Sequence, residues 1–298
     1  MIGATWRAAL AIVLCLAGAG AHAQSPGPEA LRARFAAMRA QPDAAIFDRP
    51  LYLQASESPA LQQGDVLALV DYDYDAVRRA LTRADNWCDI LILHLNVKYC
   101  RASSTAGHDT LDVGMGRKFD QPLAAVSWLA LDYRIERDAE DDVSVALQAP
   151  EGPMGARDFR ISTEAVPYDA RRSLVHLSYA YADGLASRLA MQAYLATIGS
   201  DKVGFSVVGH RADGQPIRSG GLRGLLERNT MRYYLAVEAY LAASGLPAAQ
   251  QPQRRLDEWF TATERYPLQL HEVDRAAYIA MKLGELRRAR SEPPPHRH

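Results

Sequence analysis

The sequence predicts an α+β fold: an antiparallel sheet packed on one long helix near the C-terminus, with extra C-terminal helices beyond it. Two observations carry this. Between Thr110 and Tyr181 the chain runs as five segments that alternate apolar with polar residues, with only short turn-like separators. Strands so closely spaced must pair antiparallel, because parallel neighbours need long crossovers. From about Leu222 to Ala243 the apolar period changes to that of a helix with one greasy side, which must lie on something. The apolar face of the sheet is the available partner.

The chain opens with a single cation at Arg7, an apolar run from Ala8 to Ala19 and the small-residue close Ala21-His22-Ala23. This is the order of a removable signal peptide, residues 1–23. The run is shorter than the roughly 20 residues that cross a bilayer, and no later segment approaches that length. The mature protein is therefore expected to be exported and soluble, and periplasmic if the source is Gram-negative. Cys15 lies behind Leu14 inside the apolar run, which does not fit a lipoprotein cleavage site. With 298 residues, 48% hydrophobic and 23% charged, the chain can bury one large core. A net charge of -1 argues against a general nucleic-acid binder. After removal of the signal only Cys88 and Cys100 remain, and export would favour a disulfide between them. The alternative is two unpaired thiols, Cys88 buried and inert.

Residues 24–50 read as a leader with a short helix from Glu29 to Met38. Strands follow at Leu51 to Glu57 and Val66 to Val70, with Gly64-Asp65 as the turn between them. A helix from about Tyr74 to Ala84 carries Ala76, Val77, Ala80 and Leu81 in register, with Asp73 or Asp75 as cap. A second starts near Asp85-Asn86 and presents Trp87, Ile90, Leu91 and His94. Periodicity does not decide between helix and strand for Leu93 to Cys100. The meander strands are Leu111 to Phe119, Val126 to Arg137, Val143 to Gln148, Asp158 to Val166 and Leu174 to Tyr181. On the last, Val175, Leu177, Tyr179 and Tyr181 share one face, and Leu174, His176 and Ser178 the other. A helix is expected at Leu185 to Ile198, and a short extended segment at Val203 to Gly209. The long helix starts after Gly220-Gly221, carries Leu222, Leu225, Leu226, Tyr233, Val237, Tyr240 and Leu241 as its stripe, and stops at Gly245-Leu246-Pro247. The main domain is thus expected over 51–247. Residues 248–290 form a helical extension, with helices at Arg254 to Arg265 and Val273 to Arg290, and 291–298 a disordered tail.

This element order, with Gly64-Asp65-Val66, Asn86-Trp87-Cys88 and Val126-Ser127-Trp128 as local echoes, resembles the START and polyketide-cyclase-like (SRPBCC) superfamily over roughly Leu51 to Ala243. Two features depart from a minimal member: the inserted segment from Leu185 to Gly209 and the helices after Arg254. The resemblance implies a helix-grip fold, in which a curved antiparallel sheet wraps a C-terminal helix and encloses an apolar cavity. It also implies a lipid, sterol-like or polyketide-like guest as partner, with transient membrane contact. Candidate wall residues are Leu129, Leu131, Tyr133, Val175, Leu177, Tyr179, Tyr181, Leu226, Tyr233 and Val237; each is equally readable as packed core.

No catalytic constellation, metal centre or cofactor motif emerges. Asp89, His94 and Lys98 can be drawn as an acid–base set on one helix, but no nucleophile accompanies them, and His94 between two leucines reads as structural. His108, Asp109 and Asp112 offer metal-type ligands without a regular zinc spacing, in a loop where solvated polar residues are expected. Gly114-Met115-Gly116-Arg117-Lys118 lacks the spacing of a phosphate loop. Arg223, Glu227, Arg228 and Arg232 read as the solvated side of the long helix, with Arg223 and Glu227 placed to pair; the functional alternative is an arginine that grips an anionic head group. His176 and Arg188 pose the same choice. The expected function is carriage of an apolar molecule; the alternatives are acid–base chemistry on a similar substrate through His94, His176 or Tyr179, and an adaptor with a closed core.

Overall fold

A computed structural model of the chain describes residues 27–40, 47, 49–58, 60–152, 155–182, 184, 195, 197 and 201–294. The expected signal peptide and most of the expected 185–198 helix, including Arg188, lie outside the described residues. The strands are β1 (Leu51–Glu57), β2 (Gln62–Val70), β3 (Val97–Thr105), β4 (His108–Met115), β5 (Ser127–Asp138), β6 (Val143–Glu151), β7 (Arg157–Pro167), β8 (Ser173–Ala182), β9 (Val207–His210) and β10 (Pro216–Arg218). The helices are α1 (Pro28–Arg39), α2 (Tyr74–Leu81), α3 (Ala84–Leu91), α4 (Gly221–Ala243), α5 (Gln251–Thr263), α6 (Pro267–Leu270) and α7 (Arg275–Ser291).

β1 to β8 form one antiparallel sheet in the order β1-β2-β8-β7-β6-β5-β4-β3, and β9 and β10 form a separate hairpin. The expected meander is the run β4 to β8. β2 closes beside β8, with Gly64 opposite Tyr179 and Val66 opposite Leu177. α4 crosses the sheet at β1, β2 and β8 and also touches α2, α3, α5 and α6. This is the helix-grip arrangement.

Local chemistry explains the elements. Asp73 caps α2 by accepting from Ala76 N at 2.8 Å, and Asp274 caps α7 through Ala277 N at 2.9 Å. Ala106 and Gly107 both have positive φ (52° and 79°), the paired conformation of a two-residue hairpin turn between β3 and β4. Cys88 at the end of α3 is bonded to Cys100 on β3, with Cα atoms 5.1 Å apart.

Alternation divides the sheet into two cores. Val175, Leu177, Tyr179 and Tyr181 face α4, whereas Leu174, with Leu67, Val166 and Tyr52, packs under Leu31, Phe35 and Met38 of α1 on the outer face. The N-terminal helix thus covers the back of the sheet.

Several expectations are corrected. Gly64-Asp65 is no turn: both residues lie inside β2, paired with Ala55 and Gln54 of β1. His94 lies beyond the end of α3, and the undecided stretch after it becomes β3. His108 and Asp109 open β4 instead of lying in a loop. α5 begins at Gln251, ahead of the expected start at Arg254, and α6 is an additional short helix between the two expected ones. The tail begins docked, since Tyr99 Oη donates to the Glu292 carbonyl at 2.9 Å.

The largest correction concerns α4. Glu227, Arg228 and Arg232 are buried, at 0%, 1% and 1% exposure, although the sequence places them on a solvated side. The cause is the extension: α5, α6 and the segment before β9 cover the helix flank that faces away from the sheet. The carboxylate of Glu227 accepts from Phe205 N at 2.6 Å, Ser206 N at 3.0 Å and Ser219 Oγ at 2.7 Å, so it pins the β9–β10 segment to the start of α4. Arg228 donates to the Val203 carbonyl at 3.1 Å. The expected Arg223–Glu227 pair is present at 3.3 Å.

Candidate functional site

All ten candidate wall residues are buried in one continuous apolar cluster between sheet and α4. β5 supplies Leu129, Leu131 and Tyr133; β8 supplies Val175, Leu177, Tyr179 and Tyr181; α4 supplies Leu226, Tyr233 and Val237. Each strand contributes alternate residues, and successive helix contributors are seven and four positions apart.

The centre is aromatic. Tyr179 meets Phe159 at 5.5 Å, Tyr181 at 5.8 Å and Tyr233 at 5.4 Å between ring centroids, and Tyr233 stacks on His94 at 4.7 Å. Burial pushes the Tyr179 and Tyr233 hydroxyls far above the usual phenol range, although a hydrogen bond with Asn229 partly offsets the effect at Tyr179. Both stay neutral donors across the physiological range. Tyr133 has a structural task, donating its hydroxyl to the Leu81 carbonyl at 2.9 Å.

His94 is the polar group that periodicity leaves ambiguous. Its Nδ1 accepts from Asn96 N at 3.1 Å, so in the neutral ring the proton is on Nε2, which has no hydrogen-bond partner. Burial holds its pKa well below the usual histidine value, and Arg232, Lys282, Lys118 and Lys98 add to the depression.

Beside it stand two groups that sequence reasoning missed. In one, Glu272 takes Lys118 Nζ at 2.5 Å, Arg232 at 2.8 Å and Lys202 at 3.3 Å. In the other, Glu285 of α7 takes Lys98 at 3.0 Å and Lys282 at 2.7 Å, all three fully buried. Lys282 also donates to the His94 and Val97 carbonyls at 2.7 and 2.8 Å. Desolvation brings Lys118 and Lys282 each down to about 8 despite these carboxylates. Lys118 lies 154 residues from Glu272 and Lys98 187 residues from Glu285, and apart from the Lys282–Glu285 spacing of three on α7 no local pattern announces these groups.

The acid–base set from one helix does not assemble. Asp89 pairs with Arg255 at 2.6 Å, and Lys98 with Glu285. His176 is on the outer face of the sheet, away from Tyr179, because adjacent alternate positions point oppositely. It is held between Asp65 at 2.8 Å and Glu164 at 3.1 Å, with Arg34 of α1 at 3.2 Å. His108 pairs with Asp132 at 3.1 Å on the exposed side. Lys118, in the glycine-containing stretch after β4, serves the Glu272 group. An open depression of about 790 Å³ lined by Asp71, Asp169, Ala170, Arg171 and Arg172 lies at the β7–β8 turn, apart from the aromatic centre.

The sheet order, the seat of α4 and the aromatic interior define an α+β protein of the helix-grip class. No family model and no curated protein matches the chain in sequence. Among solved structures it is similar to the ZhuI aromatase/cyclase from Streptomyces sp. R1128, at 11% identity over 78% of this chain and 97% of that one, with a TM-score of 0.31. Norcoclaurine synthase from Thalictrum flavum gives 12% identity over 46% and 85%, TM-score 0.34. Human StAR-related lipid transfer protein 5 gives 8% over 57% and 87%, TM-score 0.30. These are likenesses of fold; the architecture stands on this chain's own topology.

Proposed function

We propose that the chain is an exported binding protein that carries a lipid or other apolar molecule between its sheet and α4. The observation that carries this reading is the Tyr179–Tyr233–His94 column: aromatic rings, two neutral hydroxyls and one unpartnered N–H inside a wall of aliphatic side chains. An apolar lining with a few placed polar groups is the composition of a small-molecule site. A guest parts the Tyr179 and Tyr233 rings and takes their place against Leu177, Leu226 and Val237. The signal-like N-terminus and the Cys88–Cys100 bond support export to an oxidising compartment. Among the described residues no helix is long and apolar enough to cross a membrane.

The test is native mass spectrometry of protein purified from a periplasmic extract, followed by titration of the delipidated protein with a fluorescent fatty acid and a fluorescent sterol. A co-purifying apolar mass and saturable uptake, weakened by Tyr233→Ala, are expected. Repeated preparations without bound mass and without uptake would refute the carrier.

A further inference from the structure

Three polar groups inside the grip lack hydrogen-bond partners. The first is the His94 Nε2–H: the residue is 2% exposed, its Nδ1 is taken by Asn96 N, and Nε2 meets no acceptor. A backbone N–H can only donate, so the Asn96 contact also fixes which nitrogen of the neutral ring holds the proton. The second is Thr163 Oγ1 on β7, at 1% exposure and likewise without a hydrogen bond. The third is the hydroxyl of Tyr233, a residue 4% exposed; burial and the neighbouring Tyr179 act on it, and no hydrogen bond among the described residues does.

Position joins the three. His94 stacks on Tyr233, and Tyr233 meets Tyr179 of β8. On β7, Ile161 lies opposite Tyr179 and Thr163 opposite Leu177. Tyr179 and Leu177 face α4, so Thr163 is turned to the same side, one inward step along β7 from the residue beside Tyr179. Other polar side chains here are tied: Tyr133 and Trp87 both donate to the Leu81 carbonyl at 2.9 Å. Roughly nine in ten buried polar groups in folded proteins have a partner, so three orphans on one interior surface need a cause. Packing alone does not supply one, because phenylalanine at 233 and valine at 163 would fill the same space without stranding a hydroxyl.

We infer that the guest is an uncharged ketone or ester whose carbonyl oxygens accept from His94 Nε2–H, the Tyr233 hydroxyl and Thr163 Oγ1–H, with its hydrocarbon part against Tyr179, Leu177 and Val237. The assignment rests on the carrier reading and deepens it by naming the guest's chemistry. All three orphans can donate, and two of them, an imidazole N–H and a phenol, present a proton; a carbonyl oxygen accepts from each. None of the three is charged: burial with Arg232, Lys282, Lys118 and Lys98 keeps the His94 ring neutral, and burial keeps the Tyr233 hydroxyl protonated. The ionic groups nearby are already committed, Lys118 and Arg232 to Glu272, Lys98 and Lys282 to Glu285. A charged guest would enter this apolar interior without a counter-ion, which is costly.

The experiment measures, at pH 7, how tridecane, 2-tridecanone and dodecanoate compete with a fluorescent sterol for the delipidated full chain. The ketone should bind more tightly than dodecanoate. The ketone-over-alkane ratio should fall about tenfold when Tyr233→Phe is combined with Thr163→Val, the size of one or two hydrogen bonds. Without ligand, that double variant should melt no lower than wild type, since it keeps both shapes and loses only hydroxyls that bond to nothing. A ratio unmoved by the two substitutions would overturn the carbonyl assignment and leave the apolar carrier standing. Tighter binding of dodecanoate than of the ketone would overturn the uncharged guest. A clearly lower melt of the unliganded variant would give the hydroxyls a structural task and overturn their assignment to a guest. Absence of binding by the sterol and by all three probes would overturn the carrier and the assignment together.

Discussion

Gly64→Ala tests how closely α4 is seated on the sheet. A Cβ at Gly64 would fall 2.0 Å from Thr230 Oγ1, 3.1 Å from Thr230 Cβ and 3.3 Å from the Leu226 carbonyl. Gly64 has no positive φ, so backbone conformation gives no reason for glycine there, and alanine in a strand would otherwise be favoured by about 0.5–1 kcal/mol. Rotating Thr230 moves Oγ1 away but sacrifices its 2.7 Å bond to Leu226 O, and the Cβ contact persists. Either the helix retreats by a few tenths of an ångström or a buried hydroxyl loses its partner. Overpacking costs about 1–3 kcal/mol and an orphaned hydroxyl about 1–3 kcal/mol, and relief of one partly relieves the other, so we expect a net loss of about 2 kcal/mol. Thr230→Ala removes the closest atom, so the double variant should recover about 1 kcal/mol relative to additivity. Urea unfolding followed by tryptophan fluorescence measures all four proteins. A Gly64→Ala protein within about 0.5 kcal/mol of wild type, or strict additivity with Thr230→Ala, would refute the close seat.

Three further outcomes are expected. Replacing Cys88 and Cys100 together with alanine should lower stability by about 3 kcal/mol, the loop-entropy value for a bridge 12 residues apart, read from chemical denaturation under oxidising conditions. Burial lowers the His176 pKa, but the hydrogen bonds with Asp65 and Glu164 outweigh it and leave the value above 6.5. The histidine's stabilisation is therefore complete below pH 6.5 and lost as pH rises through the raised value; melting temperatures above pH 6.5 should fall in wild type and flatten in His176→Asn. Glu285→Gln leaves Lys98 and Lys282 without their common carboxylate and should cost about 3–5 kcal/mol by chemical denaturation.

The sheet was legible because alternation is a local signal and β5 to β8 follow one another with short turns. The burial of the ten candidate wall residues was legible for the same reason, as alternate positions on two strands and one stripe on α4. Gly64-Asp65 misled because glycine at a helix–sheet crossing and glycine in a turn look identical in sequence; Thr230, the reason for this one, is 166 residues away. The polar flank of α4 misled because a charged residue reads as solvated until its partner is known. A signal was present: Met231, Tyr234 and Leu235 stand outside the stripe, so α4 is apolar around much of its circumference, as a helix buried on two sides must be. The Glu272 group left no such trace, and of the Glu285 group only the Lys282–Glu285 spacing on α7 is local; the rest is assembled from loop, strand and helix residues by tertiary contact.

The docking of α7 along β3 has a consequence for how the chain is made. β3 is the last strand of the sheet, and its free side would present unpaired amide and carbonyl groups to any passing strand. That rim waits for a helix emerging about 180 residues later in synthesis. A product cut short before Arg275 would retain the sheet and bare its border, with self-association between copies as the natural outcome.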